Sequence, residues 1–363
     1  MTDIKFGTRT RQSTSVSTLL ANRLLVLAGR EATTLAPLLP ATTSGLVVVS
    51  NKPYETVRVL RQAYPDLILA IEPDASASAF ATEDDPFVLP SGGLFRMPLN
   101  DVLDQQVRNG ASFAITPTGY MPLGDAGPLK QAVIRANDLD REDVVLYLPC
   151  DPRWLRQPAL KQFLAILKRS RHPVALALGH KMDPLAEKGV PEGLRALSAA
   201  VPWVMPWRTD LAAFDAMAHG AKAGAIGILA SQRHASIPHQ KGWSPNVTDR
   251  SPRVLVPELL RYVRAGQLQD WFGSSRPWTC RCPFCAGRAI DRFTASPDDH
   301  LQAHKHSVAG LLALHDDMSA SGYEVNLWWT QRLRSAEAAH RRLEADTSVK
   351  ISVPAVLKTW LGE

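Results

Sequence analysis

The chain has 363 residues, of which 45% are hydrophobic, enough to bury the core of one large domain or two smaller ones. No apolar run reaches the roughly 18 residues that a membrane helix needs, which excludes a helical membrane protein. The net charge of +6 and the pI near 9.2 favour a polyanionic partner such as nucleic acid.

Residues 1–20 are polar and rich in Ser and Thr, and read as a loose N-terminal arm. They lack the apolar centre of a signal peptide. Three of the four cysteines cluster, which suits a reducing compartment, so a cytoplasmic location is expected.

Eight short apolar runs follow: 23–29 (RLLVLAG), 45–50 (GLVVVS), 67–71 (LILAI), 112–115 (SFAI), 143–148 (DVVLYL), 174–178 (VALAL), 203–205 (WVM) and 225–229 (AIGIL). Runs of this length without polar alternation read as parallel strands buried on both faces. Segments of helical period lie between most of them, at 54–64, 129–137, 160–169 and 211–219. Strand–helix alternation repeated eight times predicts an α/β fold, a (β/α)8 TIM barrel over residues 21–255. A doubly wound open sheet is the competing architecture.

Residues 80–101 form a long insertion after the third run, with a turn-rich Ser91-Gly92-Gly93 that suits a lid. Residues 234–254 are polar and Pro-rich. Residues 256–268 read as a helix with Pro257 in its first turn. A zinc-binding subdomain is expected over 256–320 and a helical extension over 321–363. In that extension, residues 326–344 form a basic helix carrying Arg332, Arg334, Arg341 and Arg342.

Cys280, Cys282 and Cys285 form a C-x-C-x-x-C knuckle, with Pro283 fixing the turn. Thiolates at this spacing converge on one tetrahedral ion, and three cysteines leave one odd for disulfides. The fourth ligand falls among His300, His304, His306 and His315 on a helix over 298–315, capped by Asp298 or Asp299. A Cys3His set is a closed, structural zinc site.

In a barrel, chemistry sits at the C-terminal ends of the strands. The residues there are Asn51, Glu72, Asp74, Thr116, Thr118, Cys150, Asp151, Gly179, His180, Asp183, Trp207, Arg208, Asp210, Ser231, Gln232, Arg233 and His234. Carboxylates, hydrogen-bond donors and aromatics in this mixture suit a planar polar ligand such as a nucleobase. Thr118, Gly179, Ser231 and Gln232 are the candidate substrate-binding residues.

The knuckle and the helix ending in Leu311-Leu312-Ala313-Leu314-His315 resemble the zinc site of the guanine transglycosylases, the archaeal-type tRNA enzymes and their DNA-modifying relatives. The resemblance implies His315 as the fourth ligand, following the Leu-Leu-Ala-x run, and a barrel with the zinc unit late in the chain. It implies exchange of guanine in nucleic acid, DNA favoured over tRNA, for a 7-deazaguanine such as preQ0. A carboxylate attacks ribose C1′ and a second acts as acid and base. The chain departs from the family at both places. The eighth run ends in Ile228-Leu229-Ala230-Ser231-Gln232-Arg233-His234 without a carboxylate, and Pro90 precedes Ser91-Gly92-Gly93 where the family has aspartate. Asp74 and Asp151 are therefore the candidate catalytic residues, and Asp249 qualifies if it folds back. The alternative is a catalytically silent barrel serving as a nucleic-acid-binding or partner subunit. A homodimer is compatible with either.

Overall fold

The computed structural model describes residues 15–92, 95–180, 183–201, 203–240 and 248–362. Its strands are β1 (Arg23–Ala28), β2 (Ser44–Val48), β3 (Ile68–Ile71), β4 (Ser91–Gly92), β5 (Phe95–Arg96), β6 (Ala114–Ile115), β7 (Val144–Cys150), β8 (Val174–Leu178), β9 (Val204–Trp207), β10 (Ala223–Gly227), β11 (Arg253–Val256) and β12 (Arg261–Arg264). All eight apolar runs become strands. They form two parallel four-stranded sheets, ordered β10-β1-β2-β3 and β6-β7-β8-β9.

Hydrogen bonds link the two sheets along both borders. Ser112 N donates to Leu69 O at 2.6 Å between β3 and β6, and Thr209 N donates to Ala225 O at 3.3 Å between β9 and β10. Alternate residues of each strand face a shared interior. Leu25, Val47, Ala70, Ile115, Tyr147, Ala177, Met205 and Ala225 belong to one apolar cluster, which takes a residue from every one of these eight strands. The opposite faces pack on helices: α2 (Ala32–Leu35), α3 (Pro53–Ala63), α4 (Leu99–Arg108), α5 (Gly127–Asn137), α6 (Ala159–Leu167), α7 (Val190–Ala200) and α8 (Ala212–Ala218). Both strand faces are buried, which is why these strands read as unbroken apolar runs.

The structure corrects the sequence expectations for the arm and for residues 256–268. The arm is not loose throughout: Val16–Leu20 is a short helix, α1, and Val16 and Leu20 are buried in the interior cluster at the N-terminal end of the strands. Residues 1–14 lie outside the described residues. The helix expected at 256–268 is instead the antiparallel β11–β12 hairpin followed by α9 (Ala265–Phe272). Leu260 adopts φ 45°, a left-handed conformation that a helix cannot contain. The Ser-Gly-Gly segment pairs as β4 with β5, while residues 93 and 94 lie outside the described residues.

The C-terminal third is built on α10 (Pro297–Ala320), α11 (Val325–Thr347) and α12 (Ala355–Leu361). Ser296 caps α10, its hydroxyl accepting from Asp299 N at 3.1 Å, so the cap precedes the aspartates expected in that role. Val308 of α10 packs with Val26, Leu46 and Leu69, on the outer faces of β1, β2 and β3. The expected basic helix is amphipathic: α11 buries Trp329, Leu333, Ala336 and Leu343 and exposes Arg334, Arg341 and Arg342. Among the described residues no helix is long and apolar enough to cross a membrane.

One buried carboxylate ties this C-terminal unit to the sheets. Asp215 of α8 is 1% exposed; it accepts from Arg195 Nη2 at 2.7 Å and from Trp329 Nε1 at 2.8 Å. Arg195 Nη2 also donates to Trp360 O. Asp215→Ala would leave two donors without their acceptor, and is expected to cost about 3–5 kcal/mol. Urea denaturation of the variant against wild type measures this, and Arg195→Ala should lower the midpoint in the same direction.

Candidate metal centre and strand-end site

The knuckle is shaped by its own backbone. Thr279 pairs with Ala289, Cys280 N donates to Arg288 O, and Gly287 N donates back to Cys280 O. Ala286 and Gly287 adopt φ 49° and 83°, which reverses the chain tightly behind Cys285. The Sγ atoms of Cys280, Cys282 and Cys285 lie 3.5, 3.5 and 3.3 Å from His306 Nδ1. All four ligand atoms fall within 4.8 Å of one another. A tetrahedral zinc ion with Zn–S of about 2.3 Å and Zn–N of about 2.0 Å requires S–N edges of about 3.5 Å. The group therefore fits a metal ion of that size.

The surroundings set the tautomer of His306 and place donors on two of the three sulfurs. His306 Nε2 lies 2.7 Å from Leu255 O, on β11. Donation to that carbonyl puts the proton on Nε2 and leaves the Nδ1 lone pair facing the sulfurs. Arg292 Nη2 donates to Cys285 Sγ at 3.3 Å and Cys282 N donates to Cys280 Sγ at 3.4 Å. Both donors offset the charge of a tris-thiolate site.

His315 is not the fourth ligand. It lies nine residues beyond His306 on α10, which at 100° per residue places it on the opposite helix face and about 13 Å further along. Its ring is buried beside the Asn22 backbone, at the start of β1. His300 Nε2 bonds Arg250 O at 3.0 Å. His304 is buried on the side of Glu31, and burial pushes its pKa down to about 4.

At the C-terminal ends of the strands, Glu72, Trp207 and Arg208 converge. Glu72 is 5% exposed; its Oε1 accepts from Arg208 Nε and its Oε2 from Trp207 Nε1, each at 2.5 Å. Arg208 adopts φ 49°, a conformation that costs a side-chain-bearing residue about 1–3 kcal/mol. The buried ion pair helps hold that strained turn. Beyond it, burial and then the charge of Asp210 raise the Asp183 carboxyl to about 6. Asp183 Oδ1 accepts from Leu185 N, and Asp210 Oδ1 from Ala212 N.

The predicted substrate residues all lie at strand ends. Thr118 is fully buried, sharing a 2.8 Å hydroxyl contact with Thr116. A side chain at Gly179 would meet Tyr120 at 2.3 Å, so this glycine lets the Tyr120 ring lie against the strand. Ser231 has an exposed side chain and accepts from Arg208 Nη1 through its carbonyl at 3.5 Å. Gln232 is buried.

The predicted catalytic aspartates fare differently. Asp151 accepts from Arg153 N and Nε, both at 2.9 Å, and from Arg153 Nη2 at 2.6 Å. Both carboxylate oxygens serve a turn cap and an ion pair, so Asp151 is poorly placed to attack a ribose. Asp74 opens a short 3-10 helix after β3, and its side chain lies outside the described residues. Asp249 does not fold back: it accepts from Ser251 N at 2.7 Å and lies against Gly266, beside the β11–β12 hairpin. After β10 the prominent side chain is cationic. Arg233 donates to Gly227 O and Ile228 O, and its guanidinium lies 3.4 Å over the Tyr262 ring.

No protein-family model and no curated protein matches the chain. Similar solved structures include Mycobacterium tuberculosis Rv1207, 12% identical with a TM-score of 0.27 over 56% of this chain and 84% of that one. A 3-hexulose-6-phosphate synthase is 14% identical with a TM-score of 0.25 over 56% of this chain and 89% of that one.

His306→Ala is expected to lose the bound metal while His315→Ala keeps it, as measured by elemental analysis of the purified variants. Asp183 supplies a pH dependence of known sign. Its folded pKa of about 6 exceeds the ordinary 3.8. Its contribution to stability is therefore fully present below pH 4, is lost as pH rises to about 6, and is level above that. Asp183→Asn should remove this decline, seen as a rising difference in urea midpoint between variant and wild type from pH 4 to 6.5.

Proposed function

We propose that the chain is a closed (β/α)8 barrel with a zinc-stabilised subdomain, and that it exchanges guanine in nucleic acid, DNA before tRNA, for a 7-deazaguanine such as preQ0. The barrel reading is supported by the single interior cluster drawn from eight parallel strands in order. The Cys3His group, late in the chain, carries the likeness to guanine transglycosylases, with His306 in place of His315.

The observation that supports a nucleic-acid partner lies on the β11–β12 hairpin. Arg253 and Arg264 face each other across the ladder, and Arg261 shares it. Like charges directly opposite destabilise a hairpin unless an anion joins them. Burial, then Arg264, Arg233 and Arg261, depress the Arg253 pKa; Asp249 acts on Arg264, but among the described residues no carboxylate makes an ion pair with these arginines. Arg233 and Tyr262 connect the cluster to the strand ends. Phosphates laid on it would bring a nucleotide to the strand ends, and the target base must leave its stack to reach them.

In this reading Asp210 attacks C1′ and Asp183 protonates the departing base. The Asp183 carboxyl, raised to about 6 by burial and then by the charge of Asp210, is suited to give the proton. Asp74 takes the nucleophile's role if Asp210 does not. A second reading is favoured by Arg233 and the missing carboxylate after β10: a barrel that binds base and polymer without exchange.

The test offers radiolabelled guanine with duplex DNA or with tRNA to the zinc-loaded protein. Label should enter DNA, and Asp183→Asn and Asp210→Asn should each lower the rate by about 10²–10⁴-fold, with Asp151→Asn close to wild type. Full activity in Asp210→Asn with loss in Asp74→Asn would move the nucleophile to the third strand. No label in either polymer would leave the binding protein. Arg253→Ala and Arg264→Ala should each reduce the slope of log K against log salt by about 0.9 for DNA.

A further inference from the structure

Gly29 follows β1, and its missing side chain opens a small cradle. An added Cβ there would lie 3.4 Å from Val49 O, 3.7 Å from Gln232 Nε2 and 3.7 Å from Glu31 Oε2. Three polar atoms thus surround a point that an alanine methyl would fill. Each of the two side chains has one end pinned, which aims the other. Gln232 Oε1 accepts from Leu229 N at 3.0 Å, which fixes the amide orientation and turns its NH2 toward the cradle. Glu31 Oε1 accepts from Arg30 Nε at 3.0 Å. Glu31 is 7% exposed, and its Oε2 is buried with no hydrogen-bond partner among the described residues. A buried carboxylate oxygen without a donor is costly, and the cost is relieved when a ligand supplies one.

We propose that this cradle is a ligand-recognition site that reads a lactam edge, an N–H beside a C=O. Glu31 Oε2 accepts from the ligand N–H, and Gln232 Nε2 donates to the adjacent carbonyl. Oxopurines such as guanine and hypoxanthine present this pair. Adenine presents the reverse, a ring nitrogen acceptor beside an amino donor, which sets acceptor against carboxylate and donor against NH2. Glu31 is thereby a specificity-determining residue at the end of the first strand, and Gly29 is the clearance that admits the ligand. The choice of a nucleobase as ligand rests on the transglycosylase reading; the donor–acceptor pattern does not.

Calorimetric titration of the full zinc-loaded chain with hypoxanthine and with adenine tests this. Wild type should bind hypoxanthine more tightly by about tenfold or more, since a site built to pair polar groups rejects the mispaired analogue. Gly29→Ala should keep its melting temperature, because its nearest new contact is an ordinary 3.4 Å, yet lose hypoxanthine binding by about tenfold or more. Glu31→Gln, which can present either an acceptor or a donor, should abolish the preference between the two purines. Wild-type hypoxanthine affinity in folded Gly29→Ala would overturn the inference. So would a wild-type protein that binds the two purines alike, or binds neither. Absent base exchange with Gly29-dependent hypoxanthine binding would remove the reaction and keep this site. Exchange that survives with Gly29→Ala binding unchanged would remove this site and keep the reaction.

Discussion

The imidazole of His306 joins three parts of the molecule through two nitrogens. Nδ1 faces the cysteine sulfurs, Nε2 holds the carbonyl of Leu255 on the β11–β12 hairpin, and the backbone belongs to α10. The same helix presses Val308 onto the outer faces of β1 and its neighbours. The hairpin carries the arginine cluster and Tyr262, which covers Arg233 after β10. The His306 ring is therefore one of the ties, with the bond from Leu255 N to Ser307 Oγ, that set the basic surface relative to the strand ends. A metal ion bound there would fix this ring, and with it the carbonyl of the hairpin that carries the arginines.

The C-terminal ends of the strands divide their carboxylates by environment. Glu72 is buried, doubly hydrogen-bonded and opposed by Arg208, so it holds shape. Asp151 is spent on Arg153. Asp183 and Asp210 lie close enough for one to raise the other's proton affinity. Glu31 keeps one oxygen without a hydrogen-bond partner among the described residues. Position at a strand end is thus a poor guide to role; the partners each oxygen already has are what separate scaffold from chemistry.

Much of the architecture was readable from residue order. Strands buried on both faces must be apolar throughout, so eight short runs such as VALAL and GLVVVS announced themselves. The cysteine knuckle was equally plain, because sulfur spacing and turn geometry are local. The fourth ligand was not. His306 and His315 are both on α10, and only the packing of that helix decides which face meets the knuckle. The β11–β12 hairpin is not legible in the sequence because Pro257 suits a helix start as well as a turn, and Leu260 carries no mark of its left-handed backbone. Glu31 carries no mark in the sequence, since it follows a strand by three residues and opens a helix of four. Its signal was Gly29 before it, a gap that acquires meaning only when Gln232 is known to border it.

The short helix α1 has a consequence for traffic. Val16 and Leu20 sit in the interior cluster beneath the strands and stopper that end. In the proposed closed barrel, whatever enters would therefore come and go by the opposite mouth, where the strand ends and the cradle at Gly29 lie. In the proposed exchange, an outgoing base and an incoming one would share a single doorway. Departure of the first must then precede arrival of the second, with the sugar held on the protein in the interval.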